Sequence, residues 1–413
     1  MSETRGSSGG LMGWVDERFP ATKMWNEHIG QYYAPKNFNF WYYFGSLALV
    51  VLVIQILSGI WLTMNYQPSA DRAFESVEYI MRDVDWGWLI RYIHTTGASA
   101  FFVVVYLHMA RALLYGSYQK PRELLWVFGV LIYLALMAEA FFGYMLPWGQ
   151  MSFWGAQVII SLFGAIPVIG DQLALWIRGD YVISEITLNR FFALHVIGLP
   201  LVIIGLVVAH ILALHEVGSN NPDGVEIKKN KDANGNPKDG IPFHPYYTVK
   251  DTFGLIVFLI FFSIVLFYMP EFFGLFIEAP NFEPANPQVT PDHIAPVWYF
   301  TPHYAMLRAI PDSFGGVVVM GAAVMILFFL PWLDRGRVRS IRYRGLSFKI
   351  ALMLFFLSFV VLGYLGLQPA TGLYTMLARI FTAIYFGFFV FIWVYTYFGL
   401  ERTKPVPERV TMP

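Results

Sequence analysis

IRYIHTTGASAFFVVVYLHMARALLY, residues 90–115, is an apolar run that encloses His94 and His108. A second run, 188–214, encloses His195 and His210 in matching positions. A histidine at membrane depth is costly and usually functional, so four of them in two helices form a ligand set for something held between those helices. Fourteen residues separate His94 from His108, and at about 100° per residue they return to within roughly 40° of one face. At 1.5 Å per residue the two imidazoles lie about 21 Å apart, one near each side of a hydrocarbon core about 30 Å thick. His195 and His210 are fifteen apart, which overshoots whole turns by about 60°. A bend at Pro200, with Gly198 and Gly205 beside it, is expected to restore the alignment. Taken singly, each histidine also reads as a packed core residue or a hydrogen-bonding bridge.

Glycines repeat the same interval. Gly45 and Gly59 are fourteen apart in the first apolar run, and Gly129 and Gly143 are fourteen apart in the third. A flat macrocycle can approach a helix closely only where no side chain intervenes, although small residues also serve ordinary membrane helix packing. In register with the histidines, the glycines point to two planar cofactors walled by four helices. Haem is the obvious candidate, and the chain has no cysteine, so covalent attachment, disulfides and iron–sulfur ligation are excluded. Any haem here is non-covalent and of the b type.

Composition sets the class. The 413 residues are 57% hydrophobic, 18% aromatic and 14% charged, which describes an integral membrane protein. The zero net charge at pH 7 says little about partners, and nothing calls for nucleic acid. Residues 1–40 read as a polar, Gly/Ser-rich inner-side tail without a cleavable signal, with a short surface helix around Trp14 to Met24. Apolar runs at 41–65, 90–115, 123–146, 188–214, 251–270, 314–333, 348–366 and 374–399 are long enough to span. The expected fold is therefore all-α and polytopic, with eight transmembrane helices. Its parts are a four-helix di-haem bundle at 41–214, an inner-side loop at 215–250, a second four-helix region at 251–399 and a tail at 400–413. The positive-inside rule orients it: the N-terminal tail, the loops at 111–122, 226–250 and 335–349, and the C-terminus hold 21 of the 28 Lys and Arg. Both termini are then cytoplasmic or matrix-side, His94 and His195 lie toward the outer face, and His108 and His210 toward the inner. Outer-side residues 147–187 read as two short surface helices, and 271–313 as a Pro-rich functional loop. The inner stretch KKNKDANGNPKDG reads as a mobile surface insertion without function.

The stretches RYIHTTGASAFF, GYMLPWGQMSFWGA, RFFALH, HEVGSNNP, PFHPYYTVKD and APVWYF resemble the cytochrome b family of ubiquinol:cytochrome c oxidoreductases, respiratory complex III, over nearly the whole chain. The resemblance implies that His94 and His195 ligate a low-potential haem and His108 and His210 a high-potential one. It implies a quinol-oxidising pocket near the outer surface and a quinone-reducing pocket near the inner, joined as a Q cycle that translocates protons. It further implies a Rieske-type iron–sulfur protein, cytochrome c1, a homodimeric complex and an energy-transducing membrane. The long tail favours a bacterial plasma membrane over a mitochondrial one. Arg91, Arg111 and Arg190 lie near the histidines and suit haem propionates, with snorkelling at helix ends as the alternative. At the inner side Asp251 and His215 can supply protons to a reduced quinone, assisted by Lys250 and Ser219; otherwise they are interfacial residues. At the outer side Phe141, Gly143, Tyr144, Gly155, Pro296, Trp298, Tyr299 and Tyr304 supply an aromatic pocket, or an interfacial belt.

One position departs from the family, which usually has glutamate after the proline of its Pro-Glu-Trp-Tyr motif. Here that residue is Val297. Among Asp292, His293 and His303, the last lies inside the pocket segment and is expected to take the missing acid's role, against the alternative of a loop-packing imidazole. Competing readings are the haem b anchor of another membrane dehydrogenase, a split-chain plant-type relative, and a transporter whose histidines relay protons.

Overall fold

The computed structural model describes residues 10–411. Eight helices among them are long and apolar enough to cross a membrane. They are α1 (Phe40–Thr63), α2 (Gly87–Tyr115), α3 (Glu123–Met145), α4 (Glu185–Val217), α5 (Tyr246–Tyr268), α6 (Ser313–Leu333), α7 (Leu346–Gly366) and α8 (Gly372–Tyr397). Each matches an expected span. Their outer surfaces carry exposed Leu57, Leu201, Phe261 and Val360, the apolar face a helix presents to lipid once its backbone bonds are closed internally. In the first half, close packing joins α1 to α2 and α3 to α4. The two pairs then face each other through their histidines. In the second half α6, α7 and α8 enclose a nine-residue helix, Thr301–Ala309, inside the stretch expected to be loop. The main core runs from α2 and α3 through Val297 and Tyr299 into α6–α8, so the loop before that helix is wedged between the halves.

The connection after α3 forms two helices, Gln150–Gly164 and Gly170–Arg178, where two short helices were expected. In the tail, Leu11–Asp16 and Ala21–Trp25 are separate short helices, because Pro20 cannot continue the first. A helix at Ala73–Arg82 was not expected.

α4 solves the fifteen-residue problem differently from the bend expected at Pro200. Leu194–Gly198 is a π turn, closed by the Leu199 N–H on the Leu194 carbonyl five residues back. Pro200 has no N–H for the Val196 carbonyl and its ring pushes that carbonyl away, which opens the turn and absorbs one residue. Fifteen residues then cover the same arc as fourteen in an α-helix, and His210 returns to the face of His195.

The loop after α4 is tied to distant segments on both sides of the stretch KKNKDANGNPKDG, which was expected to be a mobile insertion. Tyr33–Pro35 and Gly240–Pro242 form an antiparallel ladder that joins tail to loop. Asp223 accepts from Asn37, Tyr343, Arg342 and Thr411, Asp239 pairs with Lys36 and Arg409, and Glu226 takes Arg122 and Arg339. Basic residues scattered along the chain thus find carboxylates from distant segments. Nearby, Asp334 accepts from Tyr118 at 2.6 Å, Gln119 at 2.8 Å and Arg344 at 2.7 Å, with both ions of the Asp334–Arg344 pair fully buried. Removing one partner of such a pair leaves an uncompensated buried charge. Arg344→Met is therefore expected to cost about 3–5 kcal/mol, measurable as a lowered thermal midpoint in detergent; an unchanged midpoint would show that the pair adds nothing.

Candidate haem and quinone sites

The four histidines form two facing pairs. His94 and His195 have ring centroids 6.1 Å apart at 85°, and His108 and His210 have theirs 6.3 Å apart at 63°. Two imidazoles on one metal ion at about 2 Å per bond have centroids about 6 Å apart, so each pair has the separation of axial ligands. No cluster of three or more metal-binding side chains occurs among the described residues. Each pair offers two facing imidazole donors.

Hydrogen bonds fix the ring tautomers at one pair. Ser58 donates its O–H to the Ile54 carbonyl at 2.6 Å, which leaves its oxygen to accept from His94 Nδ1 at 2.9 Å. His195 Nδ1 donates to the Glu139 carbonyl at 2.9 Å, with Glu139 Oε1 3.0 Å away. Both Nε2 atoms are thereby left unprotonated and available to a metal, and the rings are held in place from behind. Ser58 and Glu139 escaped the sequence reading, although a carboxylate in the middle of a span is a recognisable signal.

The glycines stand where the interval placed them. A Cβ on Gly45 would lie 3.2 Å from His108 Cε1, on Gly59 3.2 Å from His94 Cε1, on Gly129 3.5 Å from His210 Cε1, and on Gly143 2.3 Å from His195 Cε1. Each glycine thus faces the ligand plane that a flat group would share. Arg111 lies 3.5 Å from His108 Nδ1 and its buried Nε has no hydrogen-bond partner among the described residues, an orphan donor that a propionate would satisfy. Arg91 bonds Thr95 one turn on, and Arg190 donates to the Trp176 carbonyl of the outer surface helix.

Beyond the end of α4, Tyr32 of the N-terminal segment joins two of the residues expected at the inner quinone site. Its ring lies 4.6 Å from that of His215 and its hydroxyl 3.2 Å from Ser219 Oγ. Lys250 turns back over Tyr246 and Tyr247, and Asp251 faces Ser46 of α1. Nothing local marked Tyr32, which reaches this place only through the ladder beside it.

At the outer side Tyr299 stacks on Phe102 at 3.9 Å, its carbonyl accepts from Tyr106 Oη at 2.8 Å, and Trp298 Nε1 donates to Ser99 at 3.1 Å. Phe141 packs on Phe142 and Phe191. Tyr304 lies under Arg308, and Pro296 precedes buried Val297. A Cβ on Gly155 would meet only Tyr144, at 3.8 Å, so alanine fits there while larger groups press on that ring. His303 is buried, with Tyr133 and Phe359 as its ring neighbours and no hydrogen-bond partner for Nδ1 among the described residues. Burial holds its imidazole down at about 4. The residue missed at this face is Glu278, whose Oε2 accepts from Tyr144 Oη at 2.5 Å.

Two facing histidine pairs, set among eight apolar helices of the described residues, define a polytopic, all-α membrane protein. Comparison with known families agrees. The model described as Cytochrome b/b6/petB matches residues 29–218, and that described as Cytochrome b(C-terminal)/b6/petD matches 284–386. The cytochrome b of Allochromatium vinosum is 62% identical over 408 residues, covering 97% of this chain and 98% of the relative. That of Rhodospirillum rubrum is 49% identical over 400 residues, covering 97% and 96%. A solved structure described as Hyperthermophilic respiratory Complex III superposes with TM-score 0.88 at 38% identity, covering 94% of this chain and 99% of that one. The chain belongs to the cytochrome b family, whose members carry haem b.

Proposed function

We propose that the chain is the cytochrome b subunit of a complex III, oxidising ubiquinol near the outer face and reducing quinone near the inner face, with proton release and uptake on opposite sides. The observation that carries this reading is the pair of histidine pairs at 6.1 and 6.3 Å, each faced by glycines, in one four-helix bundle. A b-type haem on each pair supplies a one-electron redox centre. His94 with His195, and His108 with His210, hold the two irons; Ser58 and Glu139 orient the outer rings, Gly45, Gly59, Gly129 and Gly143 admit the macrocycles, and Arg111, with Arg91 and Arg190, meets their propionates.

Each quinone site is built from this chain's own groups. At the inner site His215 and Asp251 deliver protons to the reduced quinone, Ser219 hydrogen-bonds its head, and Lys250 adds positive charge at the entrance. At the outer site Phe141, Gly155, Pro296, Trp298 and Tyr299 form an apolar wall that keeps water from the quinol head. The iron–sulfur acceptor must be a Rieske-type partner, since this chain has no cysteine with which to ligate one; cytochrome c1, a second copy of the complex and a bacterial inner membrane with both termini cytoplasmic complete the assembly. A reduced-minus-oxidised spectrum with potentiometric titration is expected to show two b components of different potential. A single component would remove the two-haem reading, and absence of any b band would remove haem altogether.

A further inference from the structure

Quinol oxidation needs a base in a pocket that excludes water, and Val297 supplies none. It is 3% exposed and packed in the main core. Glu278, nineteen residues earlier, is half-buried and reaches the same face of the protein, where Tyr144 near the end of α3 donates to it at 2.5 Å. The next segment is clamped against the start of helix Gln150–Gly164. Asn281 Oδ1 accepts from both the Ser152 N–H and hydroxyl at 2.9 Å, the Gln150 N–H donates to the Glu283 carbonyl at 3.0 Å, and the Ala285 N–H donates to the Trp148 carbonyl at 3.0 Å. These bonds fix where the glutamate enters, beside Tyr144 and therefore beside Gly155.

We infer that Glu278 is the acceptor of a quinol hydroxyl proton at the outer site, with Tyr144 as the residue that positions its carboxylate. The inference rests on the quinol-oxidation reading above and assigns the base that Val297 leaves missing. Oxidising one quinol breaks two O–H bonds and releases two electrons and two protons. The electrons leave to one-electron acceptors of the complex, an iron–sulfur centre and a b-type haem. One proton goes to a Glu278 oxygen, giving a neutral carboxyl that later releases it to the outer phase; the other leaves on the side of the iron–sulfur acceptor.

Burial raises the Glu278 carboxyl to about 7, against the opposing pull of the Tyr144 hydrogen bond. The titratable groups that face it are Tyr144 from α3 and Tyr299 from the loop. Tyr299 is kept in its neutral form chiefly by burial and then by the glutamate's own charge. An acceptor near 7 is half ionised at neutral pH and gives its proton back readily. His303, held at about 4 and enclosed by Tyr133 and Phe359, binds a proton too weakly for the same task. On this inference Glu278 takes the role expected of His303.

The test is quinol:cytochrome c turnover of the intact complex across pH, in the parent, Glu278→Gln, Glu278→Asp and Tyr144→Phe. An acceptor must be ionised, so parental turnover should fall as pH drops through about 7. Glu278→Gln should lower turnover on the order of 100-fold and abolish that acidic limb, while Glu278→Asp should keep turnover with the limb moved to lower pH. Tyr144→Phe should shift the limb upward, because a bond that stabilises the carboxylate is lost. Independently of turnover, the reduced-minus-oxidised infrared spectrum should lose one carboxyl C=O band in Glu278→Gln alone. Parental turnover and an unshifted limb in Glu278→Gln would overturn the assignment, as would loss of the b bands in both Glu278 variants. Failure of the parent to oxidise quinol despite intact b bands would instead remove the reading beneath it.

Discussion

His108→Leu is expected to give a chain that inserts normally and retains only one b component, with quinol:cytochrome c turnover lost. Leucine preserves the apolar character of α2, so insertion and helix packing are unaffected. The imidazole that faces His210 at 6.3 Å is gone, and a bis-histidine site cannot be completed by one ring. The pair His94–His195 lies in the other half of the bundle, with its own supports in Ser58 and Glu139, and should keep its spectrum and potential. Retention of both b components in the purified variant would disprove the ligand assignment, whereas loss of both would show that the two sites fold as one unit.

Gly143→Ala should be the most damaging methyl among the four glycines that face the histidines, Gly45, Gly59, Gly129 and Gly143. Its Cβ would lie 2.3 Å from His195 Cε1 and 2.9 Å from Nε2, closer than atoms can approach, so either α3 or the ring must move. The ring is held by the Glu139 carbonyl at 2.9 Å, and rotating it away breaks that bond and turns Nε2 off its axis. A misplacement near 1 Å at a reacting group costs about 100-fold, and turnover should fall by that order with loss of the component assigned to His94 and His195. Gly129→Ala is the control, since its Cβ would sit at an ordinary 3.5 Å from His210 Cε1 and should leave more of the other component intact. Equal spectra in the two variants would mean that these glycines serve helix packing only.

Local chemistry made much of the protein legible. An apolar run of about 20 residues must be a helix in lipid, because no water is there to satisfy its backbone, and eight such runs are helices among the described residues. The fourteen-residue interval carried through to the facing of Gly45 on His108 and of Gly59 on His94, since helical periodicity is a property of the backbone and survives tertiary packing.

Where periodicity is broken or the partner lies far along the chain, sequence alone was insufficient. The π turn at Leu194–Gly198 depends on which carbonyl Pro200 displaces, a choice between bending the helix and widening it that neighbouring helices settle. The partners of the loop after α4 were invisible in the sequence, because Asp223, Glu226 and Asp239 find theirs more than a hundred residues away. His303 sits beside the expected motif in sequence but turns toward Tyr133 and Phe359, while Glu278 lies nineteen residues before Val297 and meets Tyr144, 134 residues away, across the outer face. The sequence by itself determined which segments span and which side chains share a helical face, because both follow from backbone geometry and solvent. Only the tertiary structure decided which charges pair and that Glu278 meets Tyr144, because those depend on distances between helices that no local pattern encodes.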